Sequence, residues 1–242
     1  MPRSSAVTTG TRGIFVIGTD TNVGKTFVAS RIAAALRKAG RTVGVYKPAA
    51  SGCRREGQTL VSDDAVALWE AAGRPGKLTA VAPQRFAAPL APHLAARAEG
   101  VELDAEKLRS GLQPWLKSSE IVIVEGAGGL MSPFGDDEYN ADLAADFGFP
   151  LVVVAADRLG TINQTLQTLI AATAYADELP IAGVVLNEVT PAGADDPSRA
   201  TNEAELRRRC VPPVLTRLKH GAADFASKID WWKLAGPYKG SP

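Results

Sequence analysis

A loop near the amino terminus carries the residue types that bind phosphate groups. It reads Gly-Thr-Asp-Thr-Asn-Val-Gly-Lys-Thr over residues 18–26, between a short apolar run and a helical pattern. This order predicts a strand that turns through the loop into a helix. Backbone N–H groups at such a helix start attract anions, and Gly24 allows the backbone to approach phosphate oxygens closely. Lys25 would neutralise the phosphates, and the Thr26 hydroxyl would bind Mg²⁺.

The spacing of this loop differs from the usual P-loop pattern, which is a glycine, four residues and then Gly-Lys-Thr or Gly-Lys-Ser. Thr19 occupies the place of the first glycine, and Gly18 lies one residue earlier. A variant class found in partitioning ATPases has an additional lysine early in the loop, where this chain has Asp20. The loop is therefore interpreted as a variant P-loop outside that class.

Four other polar clusters follow predicted strands or open the helix after one, where α/β sheets bind ligands. Lys47 is either a solvated lysine or a group that stabilises charge on a transferring phosphoryl group. Asp63 and Asp64 open a helix, and each is a candidate N-cap or Mg²⁺ ligand. Glu125 ends a buried strand, where a carboxylate is costly unless it is paired or binds metal. Asn187 ends another strand, either as a turn residue or as a partner for a purine edge.

The elements that would position these residues alternate between strands and helices. Short apolar runs, typical of strands buried on both faces of a parallel sheet, lie at residues 14–17, 42–46, 121–124, 151–155 and 181–186. Helical patterns lie at residues 28–39, 63–72, 104–117, 161–176 and 200–209. The Ala/Pro-rich stretch 73–100 is interpreted as irregular loop. The alternation predicts an α/β fold with a doubly wound, mostly parallel sheet flanked by helices.

Composition restricts the classes of function. Of the 242 residues, 45% are hydrophobic and 22% are charged, which suits a soluble globular domain. The net charge of +1 marks no nucleic-acid or membrane surface, and no apolar run is long enough to span a bilayer. Residues 1–12 are interpreted as a flexible tail and residues 13–242 as one domain. Cys53 and Cys210 lack metal-ligand spacing and suit a reducing cytoplasm.

Taken in chain order, the clusters resemble the dethiobiotin synthetase family of P-loop NTPases. The resemblance rests on the loop at 18–26 and on six further motifs: Lys-Pro-Ala-Ala-Ser-Gly at 47–52, Ser-Asp-Asp-Ala-x-Ala-Leu at 62–68, Pro-His at 92–93, Glu-Gly-Ala-Gly-Gly at 125–129, Leu-Gly-Thr-Ile-Asn at 159–163 and Asn-Glu-Val-Thr-Pro at 187–191. These motifs together are specific, whereas the loop alone would not be.

The resemblance implies an ATP- and Mg²⁺-dependent ligase of biotin biosynthesis that acts as a homodimer. Such an enzyme closes 7,8-diaminononanoate with CO₂ to the cyclic urea dethiobiotin, through a carbamate and a carbamic–phosphoric anhydride. Two anions, the carbamate and the γ-phosphate, must approach each other in this reaction. Lys25, Lys47 and Mg²⁺ would supply the compensating positive charge.

The resemblance also implies a role for each residue that matches a family motif. Lys47 and Lys25 would be catalytic, and Thr26, Asp64 and Glu125 would hold the metal. Asp64 is preferred to Asp63 because it keeps the motif's spacing to the following alanines. The nucleotide would contact Asn22, Val23, Gly24, Lys25, Thr26, Phe27, Asp64, Glu125, Gly126, Ala127, Gly128, Asn187 and Glu188. The substrate would contact Thr21 and Ser51, together with Leu159, Gly160 and Asn163 from a partner subunit.

Two other functions share the loop and stay open at this point. A cobyrinate-type amide synthetase usually carries a glutaminase domain with a nucleophilic cysteine, and neither cysteine lies in such a motif. A nucleotide-switched partitioning or metal-insertion ATPase predicts a lysine at position 20. Residues 213–221 lack the Pro-Trp type segment with which some relatives read the base, so nucleotide preference and the role of residues 213–242 are left unassigned.

Overall fold

The computed structural model describes residues 10–175, 178–191 and 196–239. Residues 1–9 of the predicted tail and residue 176, the last of the predicted helix at 161–176, lie outside this part of the chain. The eleven strands that the described residues form are β1 Arg12–Gly18, β2 Val43–Tyr46, β3 Ala49–Ala50, β4 Arg54–Glu56, β5 Thr59–Val61, β6 Gln84–Arg85, β7 Ile121–Gly129, β8 Leu151–Ala156, β9 Ile181–Asn187, β10 Val214–Leu218 and β11 Gly236–Pro237.

Ten α-helices lie between these strands in the described residues, and a 3₁₀-helix spans Pro197–Ala200. The α-helices are α1 Lys25–Lys38, α2 Asp63–Ala71, α3 Leu78–Val81, α4 Pro92–Ala98, α5 Ala105–Ser110, α6 Gln113–Ser118, α7 Asn140–Phe147, α8 Thr161–Ala174, α9 Asn202–Arg209 and α10 Trp231–Leu234. None of them is long and apolar enough to cross a membrane.

Six of the strands form a parallel sheet in the order β10-β9-β8-β1-β7-β2, and β11 pairs antiparallel with the start of β1. The central strand β1 is almost wholly buried, and β8 is buried along its whole length, because their apolar side chains are covered on both faces. The predicted mostly parallel α/β sheet is confirmed. Since the strands run in one direction, β1, β2, β7 and β9 end at one edge, where their last residues and the following loops meet.

Two predictions about local structure are wrong, and one strand was not predicted. The helix expected at 104–117 is two helices, α5 and α6, with Gly111 between them and Pro114 in the first turn of α6, where its missing N–H is tolerated. The stretch 73–100 is not all irregular, because it contains α3, β6 and α4. Strand β10 lies within residues that received no assignment from the sequence.

The carboxyl-terminal segment packs against the start of β1. Gly236 and Pro237 pair with Gly13 and Arg12, and Trp232 stacks under the Arg41 guanidinium at 3.8 Å. The Thr11 hydroxyl donates to the Leu116 carbonyl at 2.7 Å. Among the described residues, regular structure begins at Arg12, the last residue of the predicted tail.

Candidate active site

Gly24 connects the loop at 18–26 to helix α1 in a conformation that favours glycine. Its φ of 86° lies in the left-handed region, and a Cβ atom there would lie 2.1 Å from Asn187 Nδ2. The same Nδ2 donates a hydrogen bond of 2.9 Å to the Val23 carbonyl. The end of β9 is thus joined directly to the phosphate-binding loop, and no larger residue fits between them.

Lys25 is the first residue of α1 and is folded back over the loop. Its Nζ donates to the Asp20 carbonyl at 3.1 Å. Burial lowers the pKa of Lys25 to about 8, although the nearby Glu125 carboxylate opposes this change. An anion bound at the loop would restore the cation, because opposite charge favours the protonated amine.

Lys47, Asp64, Glu125 and Thr26 form a cluster beside the loop. Lys47 Nζ lies 2.6 Å from Glu125 Oε1 and 2.9 Å from Asp64 Oδ2. The Thr26 hydroxyl donates to Glu125 Oε1 at 2.8 Å. Strands β2 and β7 explain the closest contact, because their register pairs Tyr46 with Val124 and so brings the next residues together.

The charges of this cluster stabilise one another. Burial alone would lower the pKa of Lys47, but the Glu125 and Asp64 carboxylates outweigh it and hold that pKa above its usual value. Burial would likewise raise the pKa of Asp64, yet Lys47 keeps it below the usual range. Burial raises the pKa of Glu125, and the Lys47 ammonium limits the rise. Lys47 is therefore a stable cation poised between two carboxylates.

The two adjacent aspartates have different surroundings. Asp63 Oδ1 lies 2.6 Å from Arg54 Nε, and its side chain is 76% exposed. Asp64 faces the cluster described above. Neither aspartate caps α2, because the Ser62 hydroxyl accepts the Ala65 N–H at 3.2 Å. The predicted N-cap role of this pair is therefore wrong.

The oxygen atoms around this cluster fit a Mg²⁺ ion. Thr26, Asp64 and Glu125 offer a hydroxyl and two carboxylates, the donors that Mg²⁺ prefers. Glu125 Oε2 is buried and has no hydrogen-bond partner among the described residues. The described residues contain no group of three or more His, Cys, Asp or Glu that could hold a metal ion.

A cavity of about 880 Å³ joins these parts into one site. Most of the residues singled out from the sequence line it: Thr21, Asn22, Gly24, Lys25, Thr26, Phe27, Lys47, Ser51, Asp64, Glu125, Ala127, Gly128, Asn187 and Glu188. The phosphate-binding loop, the Lys47 cluster and Asn187 therefore face one cavity.

Comparison with known proteins gives the family of the chain. A family model described as an AAA domain matches residues 12–221. The ATP-dependent dethiobiotin synthetase of Rhodopirellula baltica is 44% identical over 217 residues, which are 85% of this chain and 83% of the relative. The chain belongs to the dethiobiotin synthetase family. The dethiobiotin synthetase of Aromatoleum aromaticum is 38% identical over 93% of this chain and 98% of its own length.

Solved structures show the same fold outside the dethiobiotin synthetases. A ParA family ATPase from Chlorobium tepidum has a TM-score of 0.51 at 15% identity and covers 88% of this chain and 85% of its own. This likeness shows a shared P-loop architecture alone. The resemblance to dethiobiotin synthetase stated from the sequence motifs is therefore confirmed at the level of the family.

Some residues assigned through the dethiobiotin synthetase motifs do not line the cavity. Val23 is fully buried, and Gly126 faces the Asn140 side chain, 2.6 Å from where a Cβ would lie. Leu159, Gly160 and Asn163 are outside the cavity of the single chain, and Leu159 is 80% exposed. Their assignment to the substrate stays a prediction that requires a second subunit.

Asn140 is a part of this site that the dethiobiotin synthetase motifs and the sequence patterns both missed. It is fully buried at the start of α7. Its Oδ1 accepts the Ala127 N–H at 3.1 Å, and its Nδ2 donates to the Gly129 carbonyl at 2.8 Å. Asn140 therefore fixes the glycine-rich end of β7 that follows Glu125. Its partners are backbone atoms, so no spacing of side chains signalled it.

Proposed function

We propose that the chain is an ATP-dependent ligase that closes 7,8-diaminononanoate and CO₂ to dethiobiotin in biotin biosynthesis. The observation that carries the proposal is the buried Lys47, held 2.6 Å from Glu125 and 2.9 Å from Asp64 beside the phosphate-binding loop. The family membership supports the same reaction, because its named members are dethiobiotin synthetases.

The reaction proceeds in three balanced steps. One amine of the substrate attacks CO₂ and loses a proton, which gives a carbamate. A carbamate oxygen then attacks the γ-phosphorus of ATP, so that ADP leaves and a carbamic–phosphoric anhydride forms. The second amine attacks the carbonyl carbon of the anhydride, phosphate leaves, and the ring closes with loss of the amine proton.

The demanding step brings the anionic carbamate to the anionic γ-phosphate. Lys47 is a buried cation at this point, and Lys25 is a second one when phosphate is bound. Fixed positive charge in a site with little water stabilises a developing negative charge strongly. Lys47 would exchange its contacts with Asp64 and Glu125 for contacts with the transferring phosphoryl group, while backbone N–H groups at the start of α1 hold the other phosphates.

Thr26, Asp64 and Glu125 would hold Mg²⁺ when the nucleotide is bound. The ion would neutralise charge on the β- and γ-phosphates and orient them for in-line transfer. The Thr26 hydroxyl and Glu125 Oε1, which are 2.8 Å apart here, would then face the ion instead of each other.

The substrate would lie between the phosphate-binding loop and the residues that follow β2. Thr21 and Ser51 line this part of the cavity with polar groups, and Leu90 and Pro92 line it with apolar ones. In a homodimer, Leu159, Gly160 and Asn163 of the second subunit would reach the tail of the substrate. The start of α8 would attract the tail carboxylate through its backbone N–H groups.

The test is phosphate release from Mg-ATP with bicarbonate, measured with and without 7,8-diaminononanoate, with the product identified by its mass. The proposal expects release that depends on the diamine and a product with the mass of dethiobiotin. Release that is independent of the diamine would favour a switch ATPase instead. The absence of release under both conditions would contradict the proposal.

A further inference from the structure

An ion-pair network lies behind the end of the cavity that Asn187 and Glu188 line. Arg217 on β10 places its Nη2 2.7 Å from Asp157 Oδ2 and its Nε 3.0 Å from Glu188 Oε1. Asp157 is fully buried, and its Oδ1 accepts the Asn202 side-chain amide at 2.9 Å. One guanidinium thus bridges two carboxylates, and the deeper carboxylate is anchored from a second side.

The backbone connects this network to the residues that would meet the base. The Asp157 N–H donates to the Asn187 carbonyl at 2.7 Å, and the Glu188 N–H donates to the Leu218 carbonyl at 2.9 Å. The network therefore fixes both the main chain and the side chain at this end of the cavity. The guanidinium contacts the two carboxylates as ion pairs through two separate nitrogens, Nη2 and Nε, which its planar group holds at a fixed spacing and orientation.

The end of the cavity that Asn187 and Glu188 line presents two hydrogen-bond acceptors. Asn187 Nδ2 is committed to the Val23 carbonyl, so Asn187 Oδ1 remains, buried and without a partner among the described residues. Glu188 contributes a carboxylate whose Oε1 is held by Arg217. Acceptors favour a base edge with an exocyclic amino group over the same edge with a carbonyl oxygen, because a carbonyl oxygen would repel them.

We propose that Arg217, anchored by the buried Asp157, is a positioning residue that holds Glu188 as a second acceptor for the base of the nucleotide. Arg217 itself does not line the cavity, so it acts through Glu188. The inference rests on the proposed function, in which the bound nucleotide places its base beside Asn187. It predicts that this chain discriminates between adenosine and inosine triphosphates, which differ at the amino group.

The experiment measures how tightly ATP and inosine triphosphate bind to the full chain at neutral pH, by competition with a fluorescent ATP analogue. No diamine is present, so this readout remains interpretable even if dethiobiotin is not formed. Arg217→Lys keeps a positive charge beside Asp157 but has one nitrogen in place of the separately placed Nη2 and Nε. We expect it to reduce the preference for ATP by about fivefold, the effect of one hydrogen bond. Arg208→Lys is the matched control, because Arg208 pairs with Glu205 on α9 outside the cavity.

Three further variants distinguish positioning from general damage. Glu188→Gln should reduce the preference by a similar factor, since an amide can also donate to inosine. Combining Arg217→Lys with Glu188→Gln should add little to either change, because both act on one contact. Asp157→Asn keeps the side-chain shape, should release Arg217 in the same way, and replaces Arg217→Lys if that variant does not fold.

An unchanged preference in folded Arg217→Lys, or in Asp157→Asn used in its place, would overturn the inference. The inference would also be overturned if the double variant lost the preference for ATP by the full product of the two single effects. Arg217→Lys and Glu188→Gln would then act independently of each other.

Discussion

The two ends of the cavity use buried charge in opposite ways. At the phosphate end, Lys47 lies between Asp64 and Glu125, and all three line the cavity. At the base end, Arg217 lies between Asp157 and Glu188, and only Glu188 reaches the cavity. The first set of charges can exchange its partners with a ligand, whereas most of the second set is committed to the protein. The phosphate end therefore suits chemistry and the base end suits selection.

Each end contains an ion pair with a buried carboxylate, Glu125 with Lys47 and Asp157 with Arg217. A substitution at either end can therefore unfold the protein as well as change its function. Removing one partner of such a pair leaves an uncompensated charge and costs about 3–5 kcal/mol of stability. Substitutions that keep shape or charge therefore separate function from unfolding. Phosphate-end variants should change turnover or its ionic requirements, and base-end variants should change the ratio of nucleotide affinities.

The largest expected effect is that of Lys47→Met. Its ammonium meets charge that develops during phosphoryl transfer, so turnover should fall by about 10²–10³-fold, while the affinity for ATP should change far less. Turnover with 7,8-diaminononanoate and ATP binding in its absence give the two values.

Two controls accompany the Lys47 variant. Lys38→Met removes a lysine whose ion pair with Asp224 is exposed, and it should leave turnover unchanged. A thermal melt shows whether Lys47→Met is folded, since Glu125 loses its charge partner in this variant. Turnover close to that of the unsubstituted protein would remove Lys47 from the catalytic residues and break the contrast between the ends.

The phosphate end was largely predictable from the sequence, because each part follows a recognisable local signal. The loop lies between an apolar strand and a helix, and Glu125 follows four apolar residues of β7. The resemblance to the dethiobiotin synthetase motif preferred Asp64 to Asp63, and the structure places Asp64 in the cavity and Asp63 against Arg54. Parallel strands then bring these local signals together at one edge of the sheet.

The base end was not predictable in the same way, because its parts meet only through tertiary structure. Arg217 lies on β10, whose alternate residues Val214, Thr216 and Leu218 are buried. The sequence itself does not show this period of two, because the partly buried Leu215 is apolar and the buried Thr216 is polar. No local pattern could pair Arg217 with Asp157, because Asp157 directly follows a different strand, β8. The pairing of Gly236 with Gly13 spans nearly the whole chain, so local sequence could not predict it either.

A smaller effect tests which carboxylate serves the metal at the phosphate end. Asp64→Asn should raise the Mg²⁺ concentration needed for half-maximal turnover by about 10-fold or more, because a ligand charge is lost. Asp63→Asn is the matched control on the adjacent residue, and its exposed pair with Arg54 is expected to contribute only about 0–1 kcal/mol of stability. Titrations of Mg²⁺ at saturating ATP measure both. Equal responses of the two variants, or a stronger response to Asp63→Asn, would contradict the assignment of Asp64.

An effect of comparable size concerns the charge of Lys25 and the pH dependence of ATP binding. Burial lowers the pKa of Lys25 to about 8, so in the free protein this side chain loses its proton as the pH rises through that value. Bound phosphates favour the charged form, and ATP binding above pH 8 must therefore take up a proton. The Kd for ATP should be constant below pH 8 and rise toward a limit of about tenfold per pH unit above it.

Lys25→Arg separates this titration from other effects of pH, because a guanidinium stays charged throughout the range. Its Kd should be independent of pH from 7 to 9.5, even if its absolute affinity is weaker. Glu125 and Asp64 raise the pKa of Lys47. Lys47 should therefore remain charged over the same range and add nothing to the pH dependence of the Kd. A flat profile in the unsubstituted protein would show that Lys25 keeps its proton without ATP. The phosphate end would then hold two permanent cations before the nucleotide arrives, and its contrast with the base end would lie in the position of the charges and not in their response to the ligand.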